Sequence, residues 1–205
     1  FDHPDVREEL ALYYSSVRRA DDCVGAVLDA LEASGEADRT FVMFLSDHGM
    51  PLPFAKTQLY HHSTRTPLMI RWPEITKPGS VDSEHMVSAV DFIPTLSEVM
   101  GFEPPEKLDG QSFASILRGE PQHERTFVIK EYNENSGSKR NPMRGIETKE
   151  YLYLFNPWSN GKLVMATATN GTKTWKRMKS LASGNVAIAA RVAVMEHRSV
   201  EELYD

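Results

Sequence analysis

The chain has 205 residues, of which 40% are hydrophobic and 25% are charged, and these fractions are ordinary for a globular protein. Its net charge of -6 argues against a nucleic-acid partner, because nucleic-acid binders carry a basic surface. No apolar run is long enough to span a bilayer and no signal peptide opens the sequence, so no membrane partner is expected. The single cysteine, Cys23, excludes an internal disulfide.

The first predicted element is an amphipathic helix over residues 5–34. Apolar side chains recur at helical spacing, Asp5 and Glu8 have the spacing of a capping box, and Gly35 is placed to end the helix. The pattern predicts that this helix packs on a sheet. Cys23 lies next to its apolar stripe and is expected to be a core residue without a chemical role.

A short apolar run, Phe41 to Leu45, is followed at once by Asp47, His48 and Gly49. The run predicts a buried strand of a parallel sheet, and ligands of such sheets bind beyond the carboxyl ends of the strands. A metal or anion site is therefore expected at these residues, with the glycine turning the backbone. The alternative is an ordinary surface turn.

Residues 50–62 contain two prolines and no periodicity, and they are predicted to form a loop. Lys56 in such a loop would usually be solvated. Its place shortly after the candidate metal site nevertheless suits an ammonium group that holds an anionic substrate. A second apolar strand is predicted over residues 68–72 and ends at Pro73.

Later elements follow without a regular alternation of strand and helix. Asp91 is predicted to cap a helix over residues 92–100, and a polar loop is predicted from Asn133 to Asn141. The remaining predicted elements are a helix over 112–118, strands at 126–130, 151–155 and 202–205, a helix around 175–181 and a helix over 186–195. Beyond about residue 122, predicted strands are followed by predicted helices without alternation. This order predicts a separate small α+β subdomain over 122–205.

Several sequence blocks together resemble the second half of sulfatases, which belong to the alkaline-phosphatase superfamily. In chain order the blocks are Ser46-Asp-His-Gly49, Lys56-Thr-Gln-Leu-Tyr60, Arg65-Thr-Pro67 with the strand after it, Val90-Asp-Phe-Ile-Pro-Thr-Leu96, Leu108-Asp-Gly-Gln-Ser112 and Glu202-Leu-Tyr-Asp205. The loop after Gly49 looks most like that of sulfamidases, which remove N-linked sulfate from glucosamine. The resemblance implies an α/β fold. Residues 1–121 would be the second half of the mainly parallel sheet domain, followed by the small subdomain.

The resemblance also implies a site built around one divalent cation, normally calcium. Asp47 and His48 match metal ligands of the family, although many members have asparagine in the second place. Because imidazole suits calcium less well than an amide oxygen does, His48 is either a ligand or a catalytic hydrogen-bonding group at the sulfate or the nucleophile. Lys56 matches the basic residue that binds the sulfate oxygens and assists catalysis.

Three further residues are candidate substrate contacts. His61 and His62 stand where sulfatases often have Glu-Gly, so they are not motif residues, but they are placed to touch substrate. Arg144 lies in a segment that approaches the pocket in sulfatases, where it would select an acidic sugar. The implied reaction is hydrolysis of a sulfate ester or sulfamate on a sulfated sugar or glycosaminoglycan fragment. The sequence predicts no oligomeric state.

Sulfatases act through a formylglycine made from the first residue of Cys/Ser-x-Pro-x-Arg. The nearest match, Arg140-Asn-Pro-Met-Arg144, lacks that first residue, and Cys23 is followed by Val-Gly-Ala-Val. The expectation is that the formylglycine and the first metal ligands lie upstream of Phe1, and that this portion alone is inactive. Members of the family are periplasmic, extracellular or lysosomal.

Two alternatives remain open from the sequence. The block Ser46-Asp-His-Gly-Met50 also resembles nucleotide pyrophosphatase/phosphodiesterases of the same superfamily, in which Asp47 and His48 would both bind zinc in a two-zinc site. The Lys56 loop and the block at 108–112 favour the sulfatase. The second alternative is a non-catalytic, sulfatase-like module that binds sulfated glycans.

Overall fold

The computed structural model describes residues 2–121, 125–134, 140–165 and 167–205. Its helices are α1 (Pro4–Ala33), α2 (His61–Thr64), α3 (Phe92–Met100), α4 (Ala114–Leu117), α5 (Lys173–Leu181) and α6 (Val186–Glu196). Its strands are β1 (Val42–Leu45), β2 (Leu68–Arg71), β3 (Val128–Glu134), β4 (Arg140–Glu147), β5 (Leu152–Phe155) and β6 (Glu201–Tyr204). In this described part of the chain, no helix is both long and apolar enough to cross a membrane.

The predicted division into domains at residue 122 stays a prediction, because it adjoins residues 122–124, which lie outside the described ranges. The same holds for most of the predicted polar loop, whose residues 135–139 are also outside them. Its last residues begin strand β4.

Helix α1 confirms the first predicted element, but its ends and its packing differ from the prediction. The side chain of His3 caps the N-terminus by accepting from the Asp5 backbone N at 3.1 Å, and Gly35 follows the helix with a φ of 72°. No residue of α1 is buried, so the expected burial against a sheet is wrong. Cys23 is exposed, and its prediction as a core residue is also wrong.

Helix α1 lies against α5, and charge accounts for this arrangement. The Glu9 carboxylate accepts from the backbone N–H groups of Lys173 and Thr174 at 3.0 and 2.9 Å. These groups belong to the first turn of α5, where a helix favours a negative charge. Arg177 donates to Asp5 at 2.7 Å one turn further along. Acidic side chains at the start of α1 thus bind α5, whereas no apolar residue of α1 is buried.

Strands β1 and β2 form a two-stranded antiparallel sheet in which Leu45 pairs with Leu68. The prediction of a buried parallel strand is therefore wrong for β1, whose Phe44 and Leu45 side chains are exposed. The segment 46–67 reverses the chain and returns β2 beside β1 in the opposite direction. An apolar run signals a strand but carries no information about the direction of the neighbouring strand.

The C-terminal part contains a four-stranded antiparallel sheet with the order β3-β4-β5-β6. Strand β4 was not predicted, and its Pro142 is unusual in a strand interior. The proline is tolerated since it lies where the β3–β4 register shifts, between Tyr132 and Glu134, and before the pairing with β5 begins at Arg144. Leu59 from the loop after β1 packs on this sheet in one buried cluster with Met143, Leu152, Leu154 and Met165.

Asp91 joins two of the sequence blocks. Its side chain is fully buried and accepts from the backbone N of Ser88 at 2.8 Å and from that of Gln111 at 3.0 Å. Arg125 adds an ion pair from the start of the C-terminal part. The predicted capping role is therefore corrected: with Ser88, Asp91 forms a capping box for the short turn before α3 instead of capping α3 itself.

We expect Asp91→Ala to lower the free energy of unfolding by about 3–5 kcal/mol, because it leaves Arg125, whose side chain is only 13% exposed, without its counter-ion. Asp109→Ala is the matched control, since Asp109 is exposed in the neighbouring loop. Urea denaturation of the two variants measures the difference. Equal midpoints for both variants would show that Asp91 has no such structural role.

Candidate functional site

The Asp47-His48 turn follows β1 directly. The Nδ1 atom of His48 lies 2.8 Å from the Gly49 carbonyl oxygen, and because a carbonyl can only accept, Nδ1 carries the proton. Nε2 lies 3.3 Å from Oδ2 of Asp47. In the neutral ring Nε2 carries a lone pair, as does Oδ2 of Asp47. Because the two atoms face each other, a cation can bind to both of them. The Asp47 side chain is 83% exposed, which leaves its carboxylate open to a ligand.

These two side chains fit part of a metal site. A metal-binding histidine usually donates its other N–H group to a carbonyl or carboxylate, as Nδ1 of His48 does here. A calcium ion, however, takes six to eight oxygen ligands. In the described ranges, no cluster of three or more His, Cys, Asp and Glu side chains is placed to hold a metal. Asp47 and His48 therefore supply a portion of a coordination sphere.

Gly49 fixes where this turn lies. Its backbone N donates to the Ser63 carbonyl at 3.0 Å. A Cβ at this position would lie 2.0 Å from the His62 carbonyl oxygen and 2.4 Å from that of Ala55. Close approach of main chain, and not a special turn conformation, is therefore what requires glycine here. The contact places the Asp47-His48 turn beside the residues next to Lys56.

Lys56 lies in a segment with an unusual backbone. Phe54 and Thr57 have left-handed conformations, with φ values of 68° and 56°. Such conformations cost about 1–3 kcal/mol each and occur most often at functional sites. The ammonium group of Lys56 has no hydrogen-bonding or ionic partner among the residues that the structure describes. It is therefore available to an anion.

His61 is part of a charged cluster that links the loop to the C-terminal sheet. Its Nδ1 lies 2.5 Å from Glu147, and its Nε2 lies 3.3 Å from a nitrogen of Arg65. Burial by itself would raise the pKa of Glu147, but hydrogen bonds from Lys130 and His61 outweigh burial and lower it below its ordinary value. His62 is exposed and its ring meets that of His61 edge-on. Substrate contact by either histidine stays a prediction.

Arg144 is not brought together with Lys56. It donates to the Tyr132 carbonyl at 3.2 Å and to the Asn133 side chain at 3.0 Å, and it pairs with Glu131 at 3.1 Å. Neighbouring Met143 faces the buried cluster that receives the loop, so Arg144 points to the opposite face of the sheet. Its predicted role in selecting substrate gains no support from this placement.

Sequence reasoning missed the buried pair formed by Arg198 and Glu202. Arg198 is 2% exposed, its Nε donates to Glu202 at 3.0 Å, and its guanidinium lies 4.3 Å from the centre of the Tyr60 ring. The Tyr60 hydroxyl donates to Glu202 at 3.0 Å, and burial strongly raises its pKa, so the hydroxyl keeps its proton. The final sequence block contained Glu202, but nothing in it indicated a partner near Lys56.

Comparison with known proteins places these features in context. Residues 2–102 match the sulfatase family model. Human N-sulphoglucosamine sulphohydrolase is 32% identical over 162 residues, which cover 75% of this chain and 32% of that protein. An ulvan-active sulfatase of Formosa agariphila is 30% identical over 151 residues, which cover 74% of this chain and 24% of that protein. This chain thus spans roughly a quarter to a third of the length of these relatives.

A solved structure confirms the expected α/β fold class. It shows a protein in complex with its substrate, D-glucosamine-2-N,6-O-disulfate, and matches with a TM-score of 0.63 at 24% identity. The match covers 86% of this chain and 38% of that chain.

We expect Gly49→Ala to destabilise the protein by about 1–3 kcal/mol and to displace the Asp47-His48 turn, because the new Cβ would meet two main-chain oxygens that cannot give way. Gly25→Ala is the matched control. It lies within α1 with nothing within 4 Å of the new Cβ, and it should stabilise by about 0.5–1 kcal/mol. Thermal unfolding of both variants tests the pair, and a Gly49→Ala variant as stable as the wild type would contradict the close approach.

Proposed function

Because the chain belongs to the sulfatase family, we propose that it supplies part of the active site of an enzyme that hydrolyses sulfate from a sulfated sugar. One observation carries the proposal. The close approach at Gly49 sets a carboxylate–imidazole pair beside a strained segment whose lysine ammonium has no partner in the described part of the chain. A cation site and an anion-binding ammonium in one place suit a sulfate group.

In this proposal Lys56 binds the sulfate oxygens. A preorganised positive charge at the transferring sulfuryl group stabilises the transition state more than the ground state, provided that water is excluded. The segment around Lys56 is already held in one conformation, so little reorganisation is needed when substrate binds. His61 and Arg144 are occupied by other protein groups, and we assign neither of them to the reaction.

Asp47 and His48 would provide two ligands of one divalent cation, which we propose to be calcium. The cation, when bound, would add positive charge beside the sulfate. Its remaining ligands and the formylglycine nucleophile would come from residues outside this chain, because no Cys/Ser-x-Pro-x-Arg pattern occurs among its 205 residues. The chain would therefore supply the metal-pair and lysine portion of a larger site.

The names of the relatives support the class of substrate. One is an N-sulphoglucosamine sulphohydrolase and another is active on ulvan. We propose a sulfated sugar or a glycosaminoglycan fragment as the substrate of the intact protein.

Replacing Lys56 tests this role. In the intact protein, we expect Lys56→Ala to lower kcat for a sulfated sugar by about 10²-fold, because one transition-state contact is lost. Lys162→Ala is the matched control, since Lys162 is also a loop lysine and is exposed. Both variants should unfold at the wild-type temperature. Equal activity of the two variants would remove Lys56 from the reaction.

The orientation of His48 favours one alternative, a two-zinc phosphodiesterase, because an aspartate–histidine pair is a good zinc ligand set. Metal analysis of the intact protein separates the two functions. We expect one calcium per chain, and we expect Asp47→Ala to lose it while Asp109→Ala, at an exposed loop position, keeps it. Two zinc ions per active chain would favour the phosphodiesterase. An intact protein that binds sulfated glycan without turnover would favour the non-catalytic module.

A further inference from the structure

Six residues around Lys56, within the segment 54–61, are each contacted by a residue of the C-terminal part of the chain. We call residues 54–61 the lysine segment. The contacts are Arg191 over the Phe54 ring at 4.8 Å, the Ala168 backbone N on the Thr57 hydroxyl at 3.2 Å, Arg198 on the Gln58 side chain, Lys130 on the Leu59 carbonyl at 3.4 Å, Glu202 on the Tyr60 hydroxyl at 3.0 Å and Glu147 on His61 at 2.5 Å. The C-terminal part therefore contacts the lysine segment at six of its eight residues, and none of its described residues bonds to the Lys56 ammonium.

The pair Arg198–Glu202 lies at the centre of these contacts. The Arg198 guanidinium donates both to Gln58 and to Glu202, and all three side chains are buried. Glu202 also accepts from the side chain of Asn156 at 2.9 Å and from the hydroxyl of Tyr60. The two charges thus reach the residues that lie two and four positions after Lys56.

This pair is poorly explained as a source of stability. Nη2 of Arg198 is buried and has no hydrogen-bond partner among the residues that the structure describes. Burial of two charges is costly, and a buried ion pair with an unsatisfied donor is often no more stable than an apolar replacement. The pair instead restricts motion, because a guanidinium group that bonds two fixed acceptors has little freedom to move.

The backbone of the lysine segment needs such external support. Left-handed conformations at Phe54 and Thr57 persist only where the surrounding structure holds them. Gly49 packs against Ala55, and Arg198 bonds to Gln58. The orientation of Lys56 is set between these two contacts.

We propose that Arg198 and Glu202 are positioning residues that fix the lysine segment so that the Lys56 ammonium meets the sulfate. The proposal rests on the sulfate-binding role of Lys56. It assigns a function in the reaction to Glu202 of β6 and to Arg198 just before that strand, both acting through the lysine segment.

A double-mutant cycle in the intact protein tests the positioning. Arg198→Lys keeps the charge but loses the fork, and we expect kcat to fall about 10- to 100-fold, because a displacement of about 1 Å can cost about 10²-fold. In a Lys56→Ala background the same substitution should leave kcat unchanged within about twofold. Lys179→Ala, which breaks an exposed pair with Glu196 in the same part of the chain, is the control and should have no effect in either background.

Hydrogen exchange provides a readout that does not depend on activity. Backbone amides of residues 57–60 should exchange faster in Arg198→Lys than in Lys179→Ala. Tyr60→Phe removes the hydroxyl that contacts Glu202 and Tyr204 but keeps the ring, so it gives a milder second variant if Arg198→Lys fails to fold. It should show the same pattern with a smaller loss of kcat.

The outcomes separate this proposal from the function on which it rests. Equal losses of kcat from Arg198→Lys, or from Tyr60→Phe, in both backgrounds would overturn the positioning while Lys56 keeps its role. Unchanged exchange at residues 57–60 would also overturn it. Full activity of Lys56→Ala alone would overturn the sulfate-binding role and the positioning with it.

Discussion

The buried contact between Arg198 and Gln58 ties the lysine segment to the C-terminal part of the chain. It joins residues that are 140 positions apart in the sequence, and it lies behind a lysine whose own ammonium is free of partners in the described structure. The close approach of Gly49 to Ala55 and His62 constrains the same segment at its beginning. The contact at Gly49 leaves no room for a side chain larger than hydrogen. The contact at Gln58 is made by the charged guanidinium fork of Arg198. Together they hold a backbone that would not keep its conformation in isolation.

This arrangement explains why the candidate site lies on loops and not on regular elements. A helix or strand would direct successive side chains to opposite faces or around a cylinder. Residues 47, 48 and 56 all lie in the segment between β1 and β2, where Phe54 and Thr57 are left-handed. The cost of that conformation is offset by contacts with the C-terminal part of the chain.

Much of this could be predicted from the sequence. Helix patterns identified α1, α5 and α6, and the ordered blocks identified the family. These features depend on local spacing, which the sequence displays directly. The direction in which β2 pairs with β1 depends on the path of the intervening loop, so the apolar run could not reveal it.

Other features depended on distant partners. Strand β4 was not predicted. The bulge that accommodates its Pro142 is formed with β3, so it does not show in the local sequence. Cys23 was misplaced since the apolar stripe of α1 does not show whether a surface covers it. The buried contact of Arg198 could not be predicted for the same reason. The sequence around an arginine does not indicate that it is buried against a glutamine 140 positions away.

The most direct test of the account is a crystal structure of the intact protein with sulfate and a bound divalent cation identified by its anomalous scattering. If Asp47 binds calcium as proposed, one calcium ion should lie about 2.3–2.6 Å from its carboxylate oxygen. The account also predicts a sulfate oxygen about 2.7–3.2 Å from Nζ of Lys56. A structure with Asp47 in contact only with water, and with the sulfate bound away from Lys56, would contradict it.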